Sequence, residues 1–176
     1  MTWLSHIITF FIGLCLVGVI AYATFTAYGW ERIWPRFYGP ADQGDVTFSD
    51  FEKGPKPNQA LVCPKDLCDE ASVDFHSPVY AMEARQLRQA FMESLKGEPN
   101  TEQVDRGADP LRLRFVERTS RMKFPDTISV EIIPLGDGTS AIAAYSRSQI
   151  GETDFGVNLV RLKRWFDRLE PLEREH

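Results

Sequence analysis

Tyr145-Ser-Arg-Ser-Gln-Ile-Gly-Glu-Thr-Asp-Phe-Gly-Val-Asn-Leu-Val-Arg161 decides how this chain is read. Its first residues close a run, Thr139 to Arg147, that reads as a strand. Its last residues open an amphipathic helix from about Asp154 to Leu169, with Phe155, Leu159, Leu162, Phe166 and Leu169 at helical spacing. Thr153 or Asp154 can cap the helix start. The basic residues Arg161, Lys163, Arg164 and Arg168 suit its C-terminal half electrostatically.

Upstream of this junction lie more strands. Leu111-Arg-Leu-Arg-Phe115 alternates strictly, so its arginines are expected to face water. Ile128, Val130 and Ile132 alternate with Ser129 and Glu131, and Gly136-Asp137-Gly138 reads as the hairpin turn into the last strand. Ser77-Pro78 reads as a helix start, followed by a stripe of Tyr80, Ala84, Leu87, Phe91 and Leu95 and a terminating Gly97. The expected fold class is α+β: a helix, a three- to four-stranded antiparallel sheet and a C-terminal helix packed on one sheet face. The other face is wet unless an upstream segment or a partner covers it.

Before that domain, residues 31–58 are dense in Pro and Gly and read as an irregular connector, with one short strand over Val46 to Phe51. Residues 59–170 then form the α+β domain, and 171–176 a polar tail. Residues 1–30 contain no Asp, Glu, Lys or Arg, and Ile7 to Tyr28 is a continuous apolar run. A bilayer core needs about 20 such residues, so a single transmembrane helix is expected. Trp3 at one end, and Tyr28, Trp30 and Trp34 at the other, match the preference of amphipathic rings for the headgroup zone. A cleaved signal peptide is the competing reading, because Ala21-Tyr22-Ala23 resembles a cleavage site. The absence of Lys and Arg before the run, and its extension past that site, favour a retained span. Cys15 reads as a membrane-buried thiol.

Two further cysteines, Cys63 and Cys68, bracket a tight loop, Cys-Pro-Lys-Asp-Leu-Cys. A disulfide is favoured over free thiols, and metal or redox work comes last, since the spacing is not Cys-x-x-Cys and further ligands are scarce. Disulfides persist outside the cytosol, which argues for export. Arg32 and Arg36 argue the other way under the positive-inside rule. With net charge −5 and no Lys/Arg cluster, nucleic acid is not expected as a partner.

The junction resembles the signature of domain-of-unknown-function family fourteen ninety-nine. The resemblance rests on Ser146–Arg161 (SRSQIGETDFGVNLVR), Lys56–Gln59 (KPNQ), Ser77–Tyr80 (SPVY) and Val116–Asp126 (VERTSRMKFPD), within a match from about Pro57 to Leu169. The family is bacterial and chloroplast-derived and often carries an N-terminal anchor or export signal. The resemblance therefore implies an inner-membrane protein, single-pass, with its soluble domain in the periplasm. It carries no accepted catalytic residues. Where the family has glycine before Phe124-Pro125-Asp126, this chain has Lys123, so a local difference in the turn is expected.

Which residues could form a site? Arg147, Asp154, Asn158 and Arg161 make the candidate polar cluster, since 154, 158 and 161 share a helical face. It reads either as an ion-pair and cap network or as a recognition site for a carboxylate, sugar or polar peptide. Gly156 reads as a close-packing position or a point of ligand approach. Phosphate at the helix start is disfavoured, because Glu152 and Asp154 already occupy it. No catalytic residue, metal or cofactor is assigned. The expected role is binding or scaffolding in the cell envelope. Alternatives are a hydrolase or transferase on an envelope polymer or lipid, using Asp154, Glu152 and Arg147, and a subunit of a larger membrane complex.

Overall fold

The computed structural model describes residues 2–105, 107 and 109–170 in two compact units, Met1–Gly39 and Pro40–His176. The expected polar tail, 171–176, lies outside the described residues.

The first unit holds α1 (Thr2–Tyr28) and α2 (Trp30–Tyr38). Within Trp3–Tyr28 the most apolar stretch has a mean hydropathy of 2.3, and the helix is long and apolar enough to cross a membrane. Its Leu, Ile, Val and Phe side chains are turned outward, which in water would be unfavourable. Gly29, at φ +93°, ends α1. The connector was expected to be irregular from residue 31, yet α2 forms there because its residues have a side to bury. Trp30 stacks on Trp34 with centroids 5.4 Å apart, and Phe25 lies 5.3 Å from Trp30.

The second unit is an α+β fold on a six-stranded sheet of order β2-β1-β6-β5-β4-β3. The strands are β1 (Gln59–Cys63), β2 (Phe75–His76), β3 (Thr101–Gln103), β4 (Arg112–Arg118), β5 (Pro125–Gly136) and β6 (Thr139–Ser148). All pairings are antiparallel except β1 with β2. The expectation of three or four strands, all antiparallel, is thereby corrected. β1 joins the sheet inside a continuous apolar run that shows no alternation, because it is covered on both faces. β2 and β3 have only two and three residues, too few for periodicity to register. The β5–β6 hairpin turns at Asp137 and Gly138, at φ +50° and +71°, the primed-turn geometry that matches strand twist.

Two helices, α3 (Ala84–Ser94) and α4 (Val157–Asp167), cover one face. Leu87, Phe91, Leu162 and Trp165 pack there on Phe115, Ile128, Val130 and Ala144. The rings of Phe91, Phe115 and Trp165 meet edge-on at 5.6–6.3 Å.

α3 does not begin at Ser77. Proline pushes the residue before it to extended backbone, and the segment pairs with β6 instead. The Ser77 hydroxyl accepts the Ile142 N–H at 3.1 Å, and Tyr80 and Ser140 exchange backbone hydrogen bonds of 2.8 and 3.1 Å. Only after Glu83 does the helix start.

Residues 40–53 cover the opposite face, which therefore is not wet. Phe48 and Phe51 pack with Leu61, Cys63, Cys68, Ala143 and Tyr145 in a second core. Val46 to Phe51 is not a strand; Asp50, at φ +55°, turns the chain there. Arg112 and Arg114 meet this cover rather than water. Arg114 Nε lies 2.6 Å from Asp42 and its Nη1 2.5 Å from Asp45, and Arg112 donates to the Val46 carbonyl. Cys63 and Cys68 are joined by a disulfide, with Cα atoms 6.2 Å apart.

Candidate functional site

Strand alternation at the end of β6 sends Ser146 toward α4 and Arg147 to the opposite face. Between β6 and α4 the chain turns sharply, with Gly151, Phe155 and Gly156 at φ +103°, +54° and +80°. Gly156 is the N-cap, outside the helix, and a Cβ on it would meet nothing within 4 Å. Its role is therefore the left-handed backbone, not close packing against the sheet.

Asp154 caps α4. Its Oδ1 accepts the Gly156 N–H at 2.9 Å, and Oδ2 accepts the backbone N–H and side-chain amide of Asn158 at 2.8 and 2.7 Å. Burial pushes the carboxyl pKa up, but these N–H donors outweigh burial and hold it below its ordinary value.

Asn158 is wholly buried one turn on. Its amide also donates to the Asn58 carbonyl at 3.1 Å and to Ser148 Oγ at 3.0 Å. Its carbonyl oxygen accepts from Ser146 Oγ at 2.5 Å and from Arg161 Nη1 at 2.6 Å. Asn58 in turn donates to the Gly151 carbonyl at 2.8 Å. The Lys56–Gln59 stretch and the junction, far apart in sequence, are thus bonded side by side.

Arg161 is the hub. Nη2 donates to Asp126 Oδ2 at 2.6 Å, Nη1 donates to Ser146 Oγ at 2.8 Å, and Nε stands 2.9 Å from Glu117 Oε2. Burial works against the charge, yet Asp126 and Glu117 raise the guanidinium pKa above its ordinary value. Beside this hub, the buried carboxylate of Glu98 meets Arg164 and, at 2.6 Å, Arg168. Burial opposes ionisation of Glu98 too, but Arg168 and Arg164 lower its pKa.

Asp154, Asn158 and Arg161 are therefore brought together, and Arg147 is not among them. Arg147 Nη2 donates to the Gln43 carbonyl at 2.7 Å, and its Cζ stands 5.7 Å from the Tyr145 ring centroid. Glu152 is exposed and pairs with Lys56 at 2.8 Å. Sequence reasoning missed Asp126, Glu117 and Glu98. A signal for the first two existed: both lie in the Val116–Asp126 stretch, which already stood out as a motif. Lys123, in the same stretch, adopts φ +55°. The turn keeps a backbone that favours glycine even with lysine in place.

Chemically, the network is a closed set of charge-assisted hydrogen bonds. The Ser146 hydroxyl is buried and donates to Asn158, and Asp154 is occupied as a cap. His76 lies away from them, with Nδ1 3.3 Å from the Cys63 carbonyl and Nε2 3.3 Å from Glu70. Among the described residues, no three or more His, Cys, Asp or Glu side chains are grouped to hold a metal.

A family model described as a protein of unknown function (DUF1499) matches residues 55–169. No curated protein matches the chain.

Proposed function

We propose, for a chain that belongs to the DUF1499 family, a membrane-tethered cell-envelope protein that works by binding or scaffolding. In this reading α1 is retained as a single inner-membrane span, and the folded unit lies on the periplasmic side. One observation carries the choice of binding over chemistry. At the junction Ser146, Asp154, Asn158 and Arg161 are spent on one another, with Arg161 3% exposed, while the exposed Glu152 pairs only loosely with Lys56 at the surface. The Cys63–Cys68 disulfide supports the periplasmic side, because such bonds persist in oxidising compartments. A hydrolase or transferase would need Arg147, Glu152 and Asp154 to act on one substrate. Arg147 leaves the opposite face of β6 from the helix that Asp154 caps, which disfavours that arrangement.

A second reading, an accessory subunit of a larger membrane complex, is favoured by one feature. Phe155 is 91% exposed beside the exposed Val157 and Val160, an apolar group that folding does not use.

Affinity purification of the full chain from detergent-solubilised membranes tests both. The tethered reading expects recovery only with detergent, together with an envelope component. Recovery in the soluble fraction after an alkaline wash contradicts the tether. Stoichiometric protein subunits that are lost on Phe155→Ser select the subunit reading.

A further inference from the structure

On the face of the sheet away from α4, the loop from Phe51 to Gln59 and the end of β6 line an open cleft of about 500 Å3. That volume lies in the range of small-molecule sites, about 300–1,000 Å3. Tyr145 and Phe51 meet in its lining with ring centroids 4.7 Å apart. The Tyr145 hydroxyl donates to Gln59 Oε1, while Gln59 Nε2 donates to the carbonyls of Gly54 and Lys56, both at 2.7 Å. These bonds hold the loop against β6, so the cleft is preformed.

Arg147 is the one sheet arginine in this wall. One terminal nitrogen is tied to the Gln43 carbonyl and the guanidinium sits beside the Tyr145 ring, which orients the fork. The other sheet arginines, Arg112, Arg114 and Arg118, each meet a carboxylate. Among the described residues, no carboxylate lies within ion-pair distance of Arg147. Lys56 also lines the cleft, and its ion pair with Glu152 joins two side chains 54% and 84% exposed. Such a pair is screened and easily exchanged. Against these two cations stand Glu52 at the exposed rim of the lining, Glu152 beside Lys56, and Asp42, whose charge acts on Arg147. These carboxylates disfavour a dianion such as a phosphate monoester and leave the Arg147 guanidinium to receive a single negative charge.

We infer that this cleft binds a small molecule through a single carboxylate, received by the Arg147 fork with Lys56 as second cation, its body lying along Tyr145 and Phe51. Guanidinium and carboxylate match as a planar bidentate pair. The inference deepens the binding reading above and rests on it only for the compartment in which ligand is met.

Titration calorimetry on the full chain in detergent micelles tests it, with glucuronate and N-acetyl-alanyl-alanine as probes. Glucose and N-acetyl-alanyl-alanine amide are the uncharged counterparts. At least one carboxylate is expected to bind saturably and its neutral counterpart about tenfold more weakly or worse, as for loss of a charge-assisted bond. Arg147→Gln should cost a similar factor, and Glu52→Gln should tighten binding. If Arg147→Gln does not fold, Arg147→Lys keeps the charge but not the fork, and should still weaken binding. Three results overturn the inference: no saturable binding of either carboxylate, equal binding of the neutral probes, or unchanged affinity in a folded Arg147 variant. An exported chain that binds neither probe would sink the cleft and leave scaffolding standing. A cytoplasmic domain that binds one would sustain the cleft and overturn the periplasmic placement.

Discussion

Glu117 on β4 and Asp126 on β5 are direct cross-strand partners, and the guanidinium of Arg161 reaches both, at 2.9 and 2.6 Å. Like charges placed opposite each other destabilise a sheet. Arg161 turns that liability into a clamp, which also takes in Ser146 on β6 and so spans three neighbouring strands.

Removing the clamp should therefore cost more than a surface pair does. Arg161→Met leaves two facing carboxylates, and a loss of about 3–5 kcal/mol is expected. Adding Glu117→Gln and Asp126→Asn to that variant should recover part of the loss, because the repulsion goes with the charges. Denaturant unfolding of the parent, Arg161→Met, the Glu117→Gln/Asp126→Asn variant and the triple variant gives the comparison. Additive losses would show that Arg161 acts by packing alone.

Asp154 makes the fold acid-sensitive. Its folded-state pKa is depressed by the Asn158 and Gly156 donors, despite burial. A depressed carboxyl contributes stability above its unfolded value, near 3.9, and that stability is lost as pH falls through the folded pKa. Between pH 5 and pH 2.5, the thermal midpoint of Asp154→Asn is expected to fall less than that of the parent. Parallel curves would mean that the cap carries no linked proton.

Lys123 holds a left-handed backbone at φ +55°. For a residue with a Cβ this costs about 1–2 kcal/mol, which glycine avoids at some cost in unfolded-chain entropy. Lys123→Gly should raise the melting temperature by a small amount, about 0.5–1 kcal/mol in stability. A lower melting temperature would mean that the Lys123 side chain contributes more than its backbone loses.

How much of this was legible in the sequence follows from where signals are periodic. The β4–β5–β6 meander and both domain helices announce themselves, because Leu113, Phe115, Ile128, Val130 and Leu162 recur with the period of their element. β1 was hidden by being buried on both faces, and the helix start at Ser77 misled because a proline there also suits a strand. Asp154, Asn158 and Arg161 were legible as a cluster through helical spacing. Their carboxylate partners sit on other strands, and register is not visible in one sequence. Grouping Arg147 with them ignored the strand's period of two, which places it on the other face from Ser146.

The Cys63–Cys68 bond closes a loop of a few residues between β1 and the second core. In the chain-entropy treatment such a loop contributes about 2 kcal/mol. Cys63→Ser with Cys68→Ser, or treatment with reductant, should lower the unfolding free energy by about that amount. Mass measurement of the protein isolated from membranes should find both thiols blocked to alkylation. Free thiols in freshly isolated protein would remove the argument for an oxidising compartment.

Membrane topology distinguishes the proposed retained span and exported domain from their alternatives. Two reporters are fused after His176, one active only in the periplasm and one active only in the cytoplasm. Activity is expected from the periplasmic reporter alone, with the apolar N-terminal segment still present by mass. Activity from the cytoplasmic reporter, or a mature chain beginning at Thr24, would contradict it.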